Sequence, residues 1–281
     1  MSVMEPSHWL TPGWSENESG FEGPPGAVTL VGAGPGDPEL LTIKAMRALQ
    51  AAKLVLYDHL VSPAILDFLP PDADRVYVGK ESSRHALPQA SIIELMIRLA
   101  KSGRPVLRLK GGDGYIFGRG GEEAQALARA GIPFTVVPGL TAAQGAAASV
   151  GIPLTHRDHA CSLVLSTGHL RENKALSMDW TMLARPNQTV VLYMGVNNLP
   201  EICRQLIAHG LPQDTPAALV ERATLPEERC ITGTLADLPT LAVTHGVKPP
   251  ALIMVGAVVA LHHELGPQAQ IHRQEIAAAE I

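Results

Sequence analysis

The chain is poor in cysteine and in aromatic residues, and it has no excess of positive charge. Its three cysteines, Cys161, Cys203 and Cys230, are odd in number and far apart, and no two form a CxxC pair. This spacing argues against a disulfide framework or a zinc site and indicates a reducing compartment with thiols in the core. The formal net charge of -5 argues against a general nucleic-acid or membrane-surface protein, because such proteins are usually basic. Any anionic ligand must therefore be held by a local cluster of Arg and Lys.

Long apolar runs and targeting signals are also missing from the sequence. The longest apolar run, Ala251–Leu261, is about half the ~20 residues that a membrane-spanning helix needs. No basic region followed by an apolar one marks a secretory signal at the N-terminus. Because 46% of the 281 residues are hydrophobic and 17% are charged, the chain can bury a large core. We therefore expect a folded, cytoplasmic protein that has either one large domain or two domains of ordinary size.

Apolar runs alternate with amphipathic segments along most of the chain, which predicts an α/β fold with two α/β domains. The predicted strands lie at 27–31, 53–57, 75–78, 105–109, 133–137, 162–166, 189–194, 217–220, 230–232 and 252–259. The predicted helices lie at 39–51, 91–101, 124–130, 200–209 and in a small-residue segment that ends at 148. The domain boundaries follow from composition as a flexible leader (1–25), an N-terminal domain (26–137), an inter-domain segment (138–157), a C-terminal domain (158–263) and a tail (264–281).

One glycine-rich stretch, GGDGYIFGRGGEE at 111–123, stands between a predicted strand and a predicted helix. Glycine has no Cβ, so a ligand can approach the backbone closely. Ligands of open α/β sheets usually bind at such strand ends. The stretch also carries Asp113, Arg119, Glu122 and Glu123. A tight surface turn is the alternative, but it has no need of these charges.

Glycine-rich or charged residues also follow other predicted strands. The turn GAGPGDP at 32–38 joins a strand to a helix and suggests a cradle for an anion or a nucleotide. It is not a dinucleotide fingerprint, because Pro35 and Asp37 break the G-x-G-x-x-G pattern, and taken alone it fits a simple tight turn. Asp58 follows the second predicted strand and Lys80 the third, on the side where α/β active sites are built.

Four motifs occur together and in order: VGAGPGDPELLT at 31–42, the stretch at 111–123, PGLTA at 138–142 and GIPLTHR at 151–157. Through them the chain resembles the tetrapyrrole methylase family over about residues 26–262, in particular its members that act on uroporphyrinogen III. The resemblance implies two α/β domains with a ligand cleft between them that holds S-adenosylmethionine. It also implies a homodimer. The implied reaction is methylation of uroporphyrinogen III at C2 and then C7, which gives precorrin-2 by way of precorrin-1.

The resemblance assigns roles to individual residues. It implies that Asp58 is a proton acceptor and that Lys80 is a proton donor. We place Arg119 and Glu122, the other polar pair, against the macrocycle. The implied cofactor contacts are Pro35, Gly111, Gly112, Asp113, Ile116, Thr141, Ala142, Met194, Ala223 and Ala251. From the residues alone, Asp58 fits a strand-end cap, Lys80 a solvated surface charge and Met194 a core residue.

Uroporphyrinogen III carries carboxylates around its rim, and arginine binds carboxylates in bidentate fashion. The candidates for substrate binding are Arg119, Arg157, Arg84 and Met194, with Arg108 as a further possible clamp. His156 and His159 flank Arg157 and fit structural roles better than metal ligation, and we expect no metal.

The family commonly has proline at position 114 and glycine at 223. This chain has Gly114 and Ala223 at these positions, and it departs from the family pattern again at the segment Thr224-Leu225-Pro226. These departures bear on how tightly the cofactor is held.

Two other functions remain open from the sequence. One is a methylase that acts on a later corrin precursor, although the segment His156-Arg157 favours uroporphyrinogen. The other is a non-catalytic protein that binds a tetrapyrrole or a nucleotide, which has no need of Asp58, Lys80 and Glu122. The 281 residues contain no NAD-dependent or chelatase region, so we do not expect a trifunctional sirohaem synthase. Sirohaem, haem d1 and cobalamin synthesis are all open as destinations of the product.

Overall fold

The computed structural model describes residues 23–79, 87–168 and 178–267. It divides into two compact units, Met1–Thr141 and Ala142–Ile281. Two of the candidate residues, Lys80 and Arg84, lie outside the described residues, as do most of the predicted leader and of the predicted tail. Within the described part, the α/β fold class predicted from the sequence is confirmed.

The first unit is a parallel sheet with helices on both faces. Its strands are β1 (Val28–Gly32), β2 (Leu54–Tyr57), β3 (Asp74–Tyr77), β4 (Val106–Lys110) and β5 (Phe134–Val137). They lie in the order β3-β2-β4-β1-β5, and every pair is parallel. The helices are α1 (Ile43–Gln50), α2 (Pro63–Leu66), α3 (Gln89–Lys101) and α4 (Gly120–Arg129). Because both faces of the sheet are covered, the inner strands β1, β2 and β4 are almost entirely buried, whereas Thr135 on the edge strand β5 is exposed.

Side-chain alternation along the strands sorts the first unit into two cores. Leu54 and Leu56 point to one face and pack with α3 and α4, while Val55 between them joins α1 and α2 on the other face. This follows from the two-residue period of a strand. The carboxyl ends of the five parallel strands consequently lie along a single edge, with loops leaving toward both layers of helices.

The second unit has a mixed sheet in the order β6-β7-β10-β8-β9. Its strands are β6 (Ser162–Thr167), β7 (Gln188–Tyr193), β8 (Pro216–Glu221), β9 (Arg229–Thr234) and β10 (Ala251–Val255). Its helices are α5 (Ala142–Val150), α6 (Trp180–Leu183), α7 (Leu199–Ala208), α8 (Leu238–Thr244) and α9 (His262–Leu265). Only the β6–β7 pair is parallel among the described strands of this sheet. Helix α5 packs on the opposite face from α7 and α8.

Three predicted elements are wrong in their boundaries. The helix expected at 39–51 is a short 3-10 turn, Pro38–Leu40, followed by α1, because Thr42 caps a new helix by accepting the Ala45 N–H at 3.1 Å. Helix α4 begins at Gly120 and not at 124, so Glu122 and Glu123 belong to its first turn. The strand expected at 252–259 ends at Val255, because Gly256 takes a φ of 139° and turns the chain.

The cysteines are free thiols in three different environments. Cys203 is buried, Cys230 is half-buried, and Cys161 is exposed. The expectation that all three are core thiols is therefore wrong for Cys161, which stands just before β6 at the surface. Burial raises the pKa of Cys203 and of Cys230 to about 12. No helix in the described ranges is long and apolar enough to cross a membrane.

This difference predicts selective alkylation. At pH 8 a thiol with a pKa near 12 has roughly a thousandfold less thiolate than an ordinary cysteine. We expect iodoacetamide to modify Cys161 first in the folded protein and all three cysteines after denaturation. Mass spectrometry of the alkylated peptides measures this. Rapid labelling of Cys203 in the folded chain contradicts the burial described above.

Candidate active site

Four loops that lie entirely within the described ranges follow strands of the first unit at its carboxyl edge. They are the β1 loop (33–42), the β2 loop (58–62), the β4 loop (111–119) and the β5 loop (138–141). Strands β1 and β4 are neighbours, yet their connections lead in opposite directions, to β2 and to β5. The helices that follow them, α1 and α4, belong to the two different cores. The β1 and β4 loops therefore leave the sheet toward opposite faces, at the edge where α/β proteins bind ligands.

Backbone contacts join the β1, β4 and β5 loops closely. Gly34 and Gly112 form an antiparallel bridge, with N···O distances of 3.1 and 2.7 Å. A Cβ added to Gly32 lies 2.5 Å from the Gly139 nitrogen, and one added to Gly139 lies 2.4 Å from the Gly112 oxygen. Any larger residue at Gly32 or Gly139 must therefore displace backbone. The glycines of both motifs serve this close approach of backbone to backbone, whereas the approach of a ligand to the glycines at 111–123 stays a prediction.

Asp113 ties the β4 loop to the β5 loop. Its Oδ2 accepts the Gly139 N–H at 3.0 Å, and its Oδ1 accepts the Tyr115 N–H at 2.8 Å. Each carboxylate oxygen can accept a further hydrogen bond, so the side chain can still receive hydroxyl donors from a ligand. The other candidates of the first unit stand on the same loops: Pro35, Gly111, Gly112 and Ile116 are half-buried, and Thr141 is buried.

Arg119 and Glu122 form a bidentate pair at the start of α4. Arg119 Nε lies 2.9 Å from Glu122 Oε2, and its Nη2 lies 3.0 Å from Oε1. The hydrogen bond from Arg119 holds the pKa of Glu122 below its usual range, and the same bond raises the pKa of Arg119. Arg119 takes a left-handed φ of 59°, which is costly for a residue with a Cβ and is concentrated at functional sites. Both side chains are more than half exposed.

Asp58 lies at the end of β2 against a buried cluster of charges. Its Oδ2 is 3.2 Å from Arg108 Nη2, and its Oδ1 accepts the Leu60 N–H at 3.2 Å. Arg108 is 3% exposed and also donates to Glu123 and to the Leu109 carbonyl. The suggestion that Arg108 clamps a substrate carboxylate is wrong, because its guanidinium is buried and already occupied.

Sequence reasoning did not select Lys110 and gave Glu123 no role. Lys110 Nζ lies 3.0 Å from Glu123 Oε1, and their side chains are 5% and 0% exposed. Burial lowers the pKa of Lys110, the neighbouring Arg108 lowers it further, and the Glu123 carboxylate partly offsets both. The signal in the sequence was present, since Arg108 and Lys110 interrupt an apolar strand, but their acidic partner comes from another element.

Lys110 makes unfolding depend on pH in the alkaline range. Its pKa is lowered in the folded chain, so between that value and the ordinary 10.5 the unfolded chain binds more protons and the free energy of unfolding rises with pH. Lys110→Met removes this contribution. We expect the difference in urea midpoint between the parent and Lys110→Met to shift in favour of the parent as the pH rises toward 10.5. A constant difference over this range contradicts a lowered pKa of Lys110 in the folded chain.

The second unit brings together three candidates at one edge of its own sheet. Continuing the β7–β10 register places Met194 beside Ala251, and the Arg222 N–H bonds the Pro250 carbonyl next to it. Ala223 follows Arg222 and shares this edge. Met194 is 52% exposed with a φ of 56°, so the interpretation as a core residue is wrong. At the neighbouring helix end, the Tyr193 hydroxyl accepts the Ala143 N–H at 3.0 Å, which holds the start of α5, where Ala142 stands.

The β2 and β4 loops and the turn around Arg157 carry further exposed residues. Leu60, Tyr115 and Phe117 are exposed apolar side chains on the β2 and β4 loops, and sequence reasoning missed them. Arg157 is exposed in a turn between His156 and His159, whose rings are 4.7 Å apart. No group of three or more His, Cys, Asp or Glu side chains in the described ranges is arranged to hold a metal ion.

Comparison with known proteins adds to this geometry. Residues 27–239 match the family model described as tetrapyrrole (corrin/porphyrin) methylases. The chain is 59% identical over 249 residues to the siroheme synthase of Nitrosomonas eutropha, covering 89% of this chain and 52% of that protein. It is 60% identical over 242 residues to the siroheme synthase of Nitrosomonas europaea, covering 86% and 51%. The chain thus spans about half the length of the curated relatives it matches.

A solved structure of uroporphyrin III C-methyl transferase from Thermus thermophilus, in its native form, is similar throughout. It has 42% sequence identity and a TM-score of 0.71, and the match covers 84% of this chain and 100% of that one. The Thermus thermophilus enzyme complexed with S-adenyl homocysteine gives 42% identity and a TM-score of 0.70, covering 83% and 93%.

Proposed function

We propose, because this chain belongs to the tetrapyrrole (corrin/porphyrin) methylase family, that it transfers methyl groups from S-adenosylmethionine to carbon atoms of uroporphyrinogen III. The observation that carries the proposal is the junction of the β1, β4 and β5 loops, where the backbones of Gly32, Gly112 and Gly139 meet and the Asp113 carboxylate accepts the Gly139 N–H. A relative of 42% identity has been solved with S-adenyl homocysteine. S-adenosylmethionine, when bound, supplies an electrophilic methyl group on a sulfonium.

The residues of the first unit fit an adenosyl ligand. The glycines at 111 and 112 let its polar edge reach the backbone, and Pro35 and Ile116 offer apolar contact. Asp113 retains acceptor capacity for ribose hydroxyls beside its two backbone bonds. Thr141 is the remaining residue of the first unit that we assign to the cofactor. In the second unit we assign four residues to the same ligand: Ala142, Met194, Ala223 and Ala251.

The exposed side chains of the β4 loop fit an acidic macrocycle built of pyrrole rings. Tyr115 and Phe117 offer aromatic surface to its body, and Arg119 can pair with a rim carboxylate. The two hydrogen bonds that Arg119 donates to the Glu122 carboxylate orient the guanidinium for this contact. Met194, Arg157 and Arg84 are the other residues that we assign to the substrate, the last of them outside the described ranges.

Asp58 and Lys80 complete the proposed chemistry. A pyrrole carbon that accepts a methyl group must be oriented toward it, and a proton must later leave the ring system. Asp58 is the proposed proton acceptor, held between the Arg108 guanidinium and the Leu60 N–H. Lys80, outside the described residues, is the proposed donor. We place the two methylations at C2 and then C7, with precorrin-1 and precorrin-2 as successive products for sirohaem, haem d1 or cobalamin synthesis.

Incubation with uroporphyrinogen III and S-adenosylmethionine under anaerobic conditions tests the proposal. We expect the substrate mass to rise by one and then by two methyl groups, and S-adenosylhomocysteine to accumulate in step. Binding of both molecules without any gain in mass supports a non-catalytic carrier and contradicts the proposed activity.

We further propose that the protein is a cytoplasmic homodimer, as the resemblance to the family implies. Light scattering at micromolar concentration measures its mass, for which we expect about twice the 29.8 kDa of one chain. A mass near that of one chain contradicts the dimer and leaves the proposed chemistry untouched.

A further inference from the structure

Four charged side chains lie buried or nearly so behind the β4 loop. Arg108 and Lys110 stand on β4, Glu123 in the first turn of α4 and Asp58 at the end of β2. Their formal charges balance, with two positive and two negative. Buried ion pairs often stabilise a fold no better than apolar residues of the same size would. A role in orienting neighbouring groups therefore explains the cluster better than stability does.

The Lys110–Glu123 pair connects the two ends of the β4 loop. Lys110 is the residue immediately before Gly111, and Glu123 lies one turn beyond Arg119, where the loop ends. The 3.0 Å contact between Lys110 Nζ and Glu123 Oε1 thus closes the segment that carries Asp113 and Arg119. A second closure, from the Gly120 N–H to the Gly114 carbonyl at 2.8 Å, lies within the same segment.

Glu123 also fixes Arg108, which in turn contacts Asp58. One carboxylate oxygen, Oε1, receives Lys110 Nζ, Arg108 Nε at 3.3 Å and Gln89 Nε2 at 3.0 Å. The other oxygen is buried without a partner among the described residues. At the other end of the Arg108 guanidinium, Nη2 lies 3.2 Å from Asp58 Oδ2. Arg108 is therefore held by Glu123 at one end and meets the proposed proton acceptor at the other.

We infer that Glu123 and Lys110 are positioning residues of this enzyme: their ion pair fixes the β4 loop for the cofactor, and Glu123 orients Arg108 toward Asp58. The inference rests on the proposed function for its second half, because only that function gives Asp58 a proton to accept. Its first half concerns the loop alone and can be tested by ligand binding without turnover.

Two double variants separate these roles from folding stability. Lys110→Met with Glu123→Gln and Lys110→Met with Glu123→Leu both remove the ion pair and both leave Arg108 and Asp58 balanced in charge. The glutamine of the first variant can still accept hydrogen bonds from Arg108 Nε and Gln89 Nε2, whereas the leucine of the second accepts neither. The measurements are the thermal midpoint, the Kd of S-adenosylhomocysteine by calorimetry, and kcat with uroporphyrinogen III.

We expect both double variants to bind S-adenosylhomocysteine at least about fivefold more weakly than the parent, because the loop is no longer fixed. We expect kcat of the double variant with Glu123→Leu to be at least about tenfold below that of the one with Glu123→Gln, beyond any difference in thermal midpoint. Parent-like affinity in both variants overturns the loop half, and equal kcat values overturn the Asp58 half.

A parent that binds S-adenosylhomocysteine but never methylates uroporphyrinogen III contradicts the proposed function and with it the Asp58 half. The binding measurements then still decide the loop half. If the double variant with Glu123→Leu does not fold, the single variant Glu123→Asp replaces it, because it keeps the charge and shortens the reach by one methylene group. We expect Glu123→Asp to lower kcat with a parent-like thermal midpoint, and an unchanged kcat overturns the Asp58 half.

Discussion

Replacing Asp113 by Ala weakens the binding of S-adenosylhomocysteine by about 1.5–3 kcal/mol, or roughly 10–150-fold in Kd. This range is typical of a hydrogen bond that involves a charged group. The expected loss has two sources in the structure. The carboxylate can receive ribose hydroxyls directly, and it also holds the Gly139 and Tyr115 N–H groups that shape the loop junction. Calorimetry with the purified variant measures the change.

Glu39→Ala is the matched control for Asp113→Ala. Glu39 is an exposed acid on the neighbouring β1 loop, so its removal changes the net charge by the same amount. We expect the control to bind S-adenosylhomocysteine like the parent, because an exposed charge is screened by solvent. Equal affinities in the parent and in Asp113→Ala remove Asp113 from the cofactor site.

Arg119→Lys and Glu122→Gln each lower kcat/KM for uroporphyrinogen III at least about tenfold, or ~1.4 kcal/mol, with cofactor affinity nearly intact. Lysine keeps the charge of Arg119 but loses its planar fork, and glutamine keeps the size of Glu122 but loses the carboxylate. In the structure this carboxylate holds the guanidinium by two hydrogen bonds. An ordinary surface pair of this kind contributes about 0–1 kcal/mol to stability and nothing to rate.

The chain contains such an ordinary pair for comparison. Arg204 and Glu201 on α7 are also three residues apart, exposed and bidentate, with distances of 2.9 and 2.6 Å. Arg204→Lys and Glu201→Gln are therefore matched controls, and we expect both to turn over at the parent rate. Parent-like turnover in the Arg119 and Glu122 variants as well leaves only a surface ion pair at the start of α4.

Local features of the fold were predictable because their causes are local. Apolar runs predicted nearly every strand of both sheets, and the glycine-rich turns after them contain Gly34 and Gly112, whose backbones form a bridge. The same turns also located Asp113. Thr42 was missed as the cap of α1 because Asp37 and Pro38 form an equally good start five residues earlier.

Partners across the sheet were not predictable, because they depend on strand order. Glu123 meets Arg108 and Lys110 only because α4 packs over β4, and Asp58 meets Arg108 only because β2 lies beside β4. No periodic pattern in the chain records either fact. Met194 has an apolar side chain at the end of a buried strand, which predicts core, yet a left-handed φ turns it outward.

Carbon-13 NMR of the product made from uroporphyrinogen III and S-adenosylmethionine labelled at the methyl carbon tests the central claim most directly. The spectrum reports how many methyl groups are transferred and to which atoms. We predict two labelled methyl groups, each on a ring carbon, appearing first at C2 and then at C7. Label on nitrogen or oxygen, label at other ring carbons, or no transfer to uroporphyrinogen III contradicts the proposed function.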